Sequence, residues 1–183
     1  MRVLLFFDQT QAGAGGKERP NVELAVEKGG IGSYHMFEKY IKQEGGLVLA
    51  TMYCGNGYFF DHEEEVKRKV AGLATKLKAD IVLCGPCFDY PDYSRMSAIL
   101  AQYIEENTDT KAVAMFSKEN EEVIEQYKDS VRIIKMPPHP PTAPPPPPPH
   151  PPPPLPAPPQ PQPKSRYEPF ISLSYTHLTL PTT

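Results

Sequence analysis

The chain has 183 residues, a formal net charge of −3, 24 prolines, three cysteines and no tryptophan. Up to Met136 it holds 17 Lys and Arg against 21 Asp and Glu, an acidic balance that gives nucleic acid no basic patch to displace counterions. No apolar run approaches the ~18 residues that suggest a membrane span.

Residues 2–7 (RVLLFF) read as a short strand covered on both faces of a sheet. They are too short for a signal peptide, since Asp8 follows at once. Three cysteines without an export signal point to a reducing, cytoplasmic setting. The strand breaks into a glycine-rich loop, residues 8–16, and then a polar stretch to Gly30. Ser33 is positioned to cap a helix whose apolar stripe is Met36, Phe37, Tyr40 and Ile41, and Gly45 and Gly46 stop it.

A second strand over 47–53 runs into Cys54, Gly55, Asn56, Gly57, Tyr58 and Phe59. Asp61 and Glu64 have capping-box spacing ahead of a helix with Val66, Val70, Leu73, Ala74 and Leu77 on one face. On that helix Glu63, Glu64 and Glu65 precede Lys67, Arg68 and Lys69, which predicts ion pairs along a solvated face. A third strand at 79–83 runs into Cys84, Gly85, Pro86, Cys87, Phe88, Asp89 and Tyr90. A helix starting near 92–94 carries Met96, Ile99, Leu100, Tyr103 and Ile104. A fourth strand at 111–116, a helix capped by Ser117 with Val123, Ile124 and Tyr127 inward, and a short strand at 131–135 complete the order β-α-β-α-β-α-β-α-β.

Helices joining successive short strands imply parallel pairing and right-handed crossovers. The expected fold is therefore α/β: a doubly wound, flavodoxin- or Rossmann-like, mostly parallel five-stranded sheet with helices on both faces, over residues 1–136. Nineteen of the 24 prolines fall between residues 137 and 163, so residues 137–183 read as a disordered or polyproline II tail. Such tails can dock on proline-binding grooves. Residues 174–182 resemble one reading frame of a sequencing adapter, so no function is assigned to the tail.

In a parallel α/β sheet, ligands bind outside the carboxyl ends of the strands. The three loops at 8–16, 54–59 and 84–90 are therefore expected to form the site. Their rim offers Asp8, Gln9, Gln11, Asn56, Tyr58, Asp89 and Tyr90. Gly13, Gly15 and Gly16 permit tight backbone conformations and a cradle of N–H groups for an anion such as a carboxylate. They form neither GxGxxG nor a GxxxxGK[ST] phosphate loop, so a nucleotide or flavin site remains a secondary expectation.

Cys84-Gly85-Pro86-Cys87 matches a thiol-redox motif, in which a helix N-terminus stabilises the first thiolate. The chain has no tryptophan before it, no proline between Pro91 and Pro137 to face a disulfide, and a helix that starts only after Pro91. The alternatives are a reactive pair or two half-buried thiols in a turn. Cys54 is expected close to Cys84 across the sheet. A metal held by the thiols with His35 or His62 is not demanded by any spacing, so none is expected. No Ser-His-Asp set or carboxylate pair stands out.

The strings at 8–18, 54–59 and 85–89, with Tyr93 following, resemble the N-terminal part of the component B selenoprotein subunit of glycine, sarcosine and betaine reductases, to which D-proline reductase is related. The resemblance covers about residues 1–135. It implies an oxidoreductase, or a subunit of one, that reductively cleaves amino-acid C–N bonds. In that family a pyruvoyl group in a partner subunit activates the amine. A selenocysteine of component B attacks the α-carbon, and thioredoxin supplies electrons. That selenocysteine lies in the family's C-terminal half, so no catalytic residue carries over onto residues 1–135, and Cys84 and Cys87 depart from the family's usual third string.

The leading expectation is thus an amino-acid reductase component with Cys84 and Cys87 as the reactive pair. Asp8, Gln9, Gln11, Gly13, Gly15, Gly16, Cys54, Gly55, Asn56, Tyr58, Pro86 and Asp89 form its substrate- or partner-binding loops. Expected partners are a small amino-acid-like substrate, pyruvoyl and selenoprotein subunits, and thioredoxin. A non-catalytic ligand-binding or scaffold module of such a complex is the alternative from a different class.

Overall fold

The first strand, β1 (Arg2–Asp8), is buried at every position after Arg2. It takes the one kind of place such a strand can occupy, between two neighbours and under cover on both faces. In the computed structural model, which describes residues 1–137, the sheet order is β2-β3-β1-β4-β5-β6. The other strands are β2 (Ala25–Lys28), β3 (Leu47–Cys54), β4 (Ile81–Cys87), β5 (Lys111–Ser117) and β6 (Arg132–Met136). The helices are α1 (Glu38–Gln43), α2 (Asn56–Asp61), α3 (Glu63–Lys76), α4 (Pro91–Asn107) and α5 (Glu121–Tyr127), with 3-10 turns at Gly32–Met36 and Lys118–Asn120. The sequence readings on the tail, from residue 138 onward, lie outside the described residues.

The five expected strands are all present and parallel. A sixth, β2, pairs antiparallel with β3 at one edge. Three of its four residues are exposed, so it carries no burial pattern by which a sequence could announce it. It is held by pairing and by Thr51 of β3. The Thr51 hydroxyl donates to the Gly29 carbonyl at 2.8 Å and accepts from the Ile31 N–H at 3.3 Å.

From β1 the chain crosses to β3 on one side and then to β4 on the other. The reversal falls between β1 and β4, the switch point at which a sheet of this winding opens its ligand crevice. Alternate residues of the strands feed two cores. Leu4, Phe6, Met52, Val82, Cys84 and Phe116 pack with α3, α4 and α5. Val3, Leu5 and Phe7 pack with Ala12, Tyr34 and Ile41.

Three helix starts differ from expectation. Ser33 caps nothing; its hydroxyl donates to the Gln11 side-chain oxygen. The segment begins as a 3-10 turn, which rotates the stripe so that Tyr34 and Ile41 are buried while Met36 and Tyr40 are 62% and 64% exposed. Asp61 ends α2 instead of capping α3, and neither His62 nor Ser117 makes a side-chain cap. Elsewhere the local rules hold. Gly45, at φ +66°, sits past the end of α1, with the Gly46 N–H bonded to the Ile41 carbonyl at 2.8 Å and the Gly45 N–H to the Lys42 carbonyl at 3.0 Å. Lys67 pairs with Glu63 at 2.8 Å and Glu64 at 2.6 Å, and Lys69 with Glu65 at 2.5 Å. No helix among the described residues is long and apolar enough to cross a membrane.

Candidate functional site

Asp8, the last residue of β1, lies beside Cys54, the last residue of β3. The loop after Asp8 folds back on its own strand end. The N–H groups of Ala12, Gly13 and Ala14 donate to the carbonyls of Asp8, Thr10 and Gln9 at 3.0, 3.1 and 2.8 Å. Further on, the chain lies against the start of α2. The Gly55 N–H donates to the Val22 carbonyl at 2.8 Å and the Tyr58 N–H to the Pro20 carbonyl at 3.1 Å. A Cβ at Gly55 would stand 2.0 Å from the Pro20 oxygen, so only glycine fits there. The third loop joins through Tyr90. The Lys17 Nζ sits 4.6 Å from the centre of its ring, and Asn56 lies beside its hydroxyl. The three segments expected to converge do so at the carboxyl ends of β1, β3 and β4.

Asp8 is 1% exposed. Burial raises its carboxyl from 3.8 to about 6, against the lowering pull of the backbone N–H groups of Gln11 and Thr10 and of the Lys17 ammonium. The Gln11 N–H donates to Asp8 Oδ1 at 2.6 Å. Burial likewise raises the Tyr90 hydroxyl, with the charges of Asp8 and Asp92 adding to it while Asn56 opposes.

At the carboxyl ends of the strands, four buried side-chain atoms among the described residues lack partners. Gln9 is fully buried; its Nε2 donates to the Gly16 carbonyl at 3.3 Å, and its Oε1 meets nothing. Asn56 is 3% exposed, and neither its Oδ1 nor its Nδ2 has a hydrogen-bond partner. The Tyr90 hydroxyl is close enough for Asn56 to oppose the rise of its pKa, although the geometry is looser than a regular hydrogen bond. At the end of β5, Asn120 donates through Nδ2 to the carbonyls of Cys87 and Phe88 at 3.1 and 2.9 Å, and its Oδ1 is also unpartnered. Native proteins pair the large majority of buried polar groups, and each exception calls for a cause such as strain, a catalytic role, or a bound ion or water.

The three thiols behave differently. Cys54, Cys84 and Cys87 are free and buried. Strand β4 runs through Cys87, where a turn after Cys84 was expected. An irregularity between Cys84 and Cys87, with Gly85 at φ +117°, absorbs the Gly-Pro pair inside the strand. Burial pushes Cys84 up to about 12 and raises Cys87 well above its ordinary value. Cys87 donates to the Ser97 hydroxyl at 3.2 Å, inside the core. Cys54 is likewise pushed up to about 12 by burial, with the Asp8 charge adding to it. It is not across a strand pair from Cys84, because β1 lies between β3 and β4. Burial thus favours the neutral thiol at all three positions.

The remaining expected residues divide by exposure. Pro86 is buried within β4, Gln11, Gly15, Gly16 and Tyr58 are half-buried, and Gly13 and Asp89 are exposed. The anion cradle expected of the glycine loop is already engaged. Three of its N–H groups bond within the loop, and the Gly16 N–H donates to the carboxylate of Glu18 at 3.1 Å. No cluster of three or more His, Cys, Asp or Glu side chains suited to a metal occurs among the described residues. His35 and His62 are both exposed. Two contributors escaped the sequence reading. Lys17 lies beyond the glycines, and Asn120 lies past the end of a fourth strand. Treating every parallel strand end as part of the rim would have found Asn120.

Residues 1–139 match the family described as glycine/sarcosine/betaine reductase selenoprotein B. Among curated proteins, the chain is 29% identical over 120 residues to the glycine reductase complex component B subunit gamma of Symbiobacterium thermophilum, covering 66% of this chain and 28% of that one. The protein of the same description from Carboxydothermus hydrogenoformans is 29% identical over 133 residues, covering 73% and 30%. The sarcosine reductase complex component B subunit beta of Peptoclostridium acidaminophilum is 23% identical over 135 residues, covering 74% and 30%. The chain thus spans under a third of the length of these relatives. No solved structure matches it.

Proposed function

The chain belongs to the glycine/sarcosine/betaine reductase selenoprotein B family, and from that premise we propose that it is the ligand-binding component of an amino-acid reductase complex. It holds a small amino-acid-like molecule at the carboxyl ends of β1, β3 and β4. Pyruvoyl and selenoprotein partners, with thioredoxin as donor, carry out the cleavage of the C–N bond. The observation that carries this reading is the unpartnered side-chain atoms of Asn56 and Gln9, at the strand ends where Asp8 is also buried. Polar atoms withdrawn from water without partners cost about 1–3 kcal/mol each, and a bound polar ligand offsets that cost. The burial of all three thiols favours this division of labour over thiol chemistry at Cys84 and Cys87. An aromatic disulfide reagent at pH 8 checks it: the native chain reacts only as fast as it opens, and all three thiols react at once in urea. Rapid native reaction at Cys84 and Cys87 would restore them as the reactive pair.

Binding itself is tested on the full chain by amide spectra during titration with glycine, sarcosine and D-proline. Shifts confined to residues 8–17, 54–58 and 88–90 are expected with at least one of them. No shift with any of the three refutes the reading.

A further inference from the structure

The atoms left without partners in the candidate site are not a random sample of donors and acceptors. Gln9 Oε1 and Asn56 Oδ1 accept and only Asn56 Nδ2 donates; Asp8, next to Gln9 in the chain and 1% exposed, adds a carboxylate whose Oδ1 already takes the Gln11 N–H. The assignment at Gln9 is fixed by its own bond, since the Gly16 carbonyl at 3.3 Å requires the amide nitrogen to face it. For Asn56 the orientation is immaterial, because both of its ends are unpartnered. A cluster short of donors, with a carboxylate in it, is complementary to a group that brings several N–H bonds and a positive charge.

The chain supplies such a group from its own loop. The Lys17 ammonium stands 4.6 Å over the Tyr90 ring, on the aromatic face that attracts cations, and its charge acts on Asp8. Lys17 is exposed and Tyr90 half-buried, so the contact forms at the surface. The glycine loop that carries Lys17 offers no competing cradle for an anion, because Glu18 already occupies the Gly16 N–H at 3.1 Å.

Building on the proposed binding of an amino-acid-like ligand, we infer that this site recognises the ligand's primary ammonium group, with Asp8, Gln9 and Asn56 as its acceptors, and that the Lys17–Tyr90 contact is a tethered competitor for the same place. Selectivity then follows from counting hydrogens on nitrogen. A primary ammonium brings three donors, a secondary one two, and a quaternary one none. A quaternary ammonium keeps its charge and its attraction to Tyr90, yet leaves every buried acceptor unsatisfied. Sites built to hydrogen-bond a group reject analogues that lack it far more strongly than apolar pockets reject a missing methylene.

The test uses the unmodified full chain, calorimetry at pH 7.5, and five probes: glycine, sarcosine, betaine, methylamine and acetate. Affinity is expected to fall in the order glycine, sarcosine, betaine, with at least tenfold between the first and last. Methylamine should displace glycine, and acetate should not. Lys17→Gln should bind glycine severalfold more tightly, because it removes the competitor. Betaine binding as tightly as glycine, or displacement by acetate but not by methylamine, overturns the ammonium assignment and leaves amino-acid binding intact. Absence of binding by all five probes overturns both. Lys17→Gln binding glycine more weakly overturns the competitor role.

Discussion

The two ends of the sheet handle buried polarity in opposite ways. At the amino end, no buried side-chain nitrogen or oxygen among the described residues lacks a partner. The Arg2 N–H donates to Asp80 Oδ2 at 2.5 Å, the Thr110 hydroxyl to the Ala79 carbonyl at 3.2 Å, and the Thr108 hydroxyl to the Ile104 carbonyl at 2.8 Å. At the carboxyl end, Gln9, Asn56 and Asn120 hold all four of the unpartnered buried side-chain atoms found among the described residues. The same backbone architecture produces both ends, so the fold does not impose the difference. It comes from which residues occupy the loops. One end is finished as structure, and the other keeps the unpartnered atoms on which the proposed binding rests.

Steric tolerance is the sharpest way to break this contrast. Gly55→Val pushes a side chain into the Pro20 and Val22 backbone, with 2.0 Å to the Pro20 oxygen already at Cβ. It should cost about 3 kcal/mol and release the residues at 20–22 from α2, read as a lower urea midpoint. Gly72 in α3 has open space around its Cβ, so Gly72→Ala should instead stabilise by about 0.5–1 kcal/mol through helix propensity. Equal effects at the two glycines would mean that the carboxyl-end loops are not docked as described.

Charge comes next. Asp8 is raised from 3.8 to about 6 by burial, so between those values the folded chain binds more protons than the unfolded one. Stability attributable to Asp8 therefore falls as pH rises through that window and stays reduced at pH 7. Asp8→Asn keeps an oxygen for the Gln11 N–H and removes the buried charge. It should add up to about 3 kcal/mol at pH 7, from ~1.4 kcal/mol per pKa unit, and flatten the fall between pH 4 and 6. At the opposite end, Asp80 is exposed and accepts from the Arg2 N–H. Asp80→Ala should lose about 1 kcal/mol. Thermal melts across pH 4–8 give both signs. The stabilised Asp8→Asn chain should bind glycine less well, since stability and ligand recognition compete for the same carboxylate.

Most of the sheet was legible in the sequence because apolar runs of five to eight residues separated by amphipathic helices leave little choice of winding. The edge strand β2 was not, since Ala25–Lys28 is fixed by pairing with β3 and hardly by burial. The location of the site was legible for the same reason as the sheet: strand ends in a parallel fold share an edge. The condition of its side chains was not. Nothing local in Cys84-Gly85-Pro86-Cys87 reveals that the strand continues through it and takes both sulfurs into the core. Nor does any local pattern mark Asn56 as lacking a well-formed hydrogen bond, because that depends on which distant residues the fold brings within reach of it. Burial and satisfaction are tertiary quantities, and they favour the binding reading over the thiol reading.

Polar satisfaction itself gives the finest comparison. Asn56→Leu removes two unpartnered buried atoms and breaks no hydrogen bond made by its side chain, so the apo chain should gain about 1 kcal/mol. Thr110→Val, a similar loss of polarity at the amino end, breaks the bond to the Ala79 carbonyl and leaves that oxygen short of a partner. It should cost about 1 kcal/mol. Denaturant titrations of the two variants, with and without saturating glycine, complete the argument. Glycine should stabilise the parent chain and Thr110→Val equally and should stabilise Asn56→Leu less. If Asn56→Leu destabilises the apo chain as Thr110→Val does, then Asn56 is already satisfied and the asymmetry between the two ends of the sheet disappears.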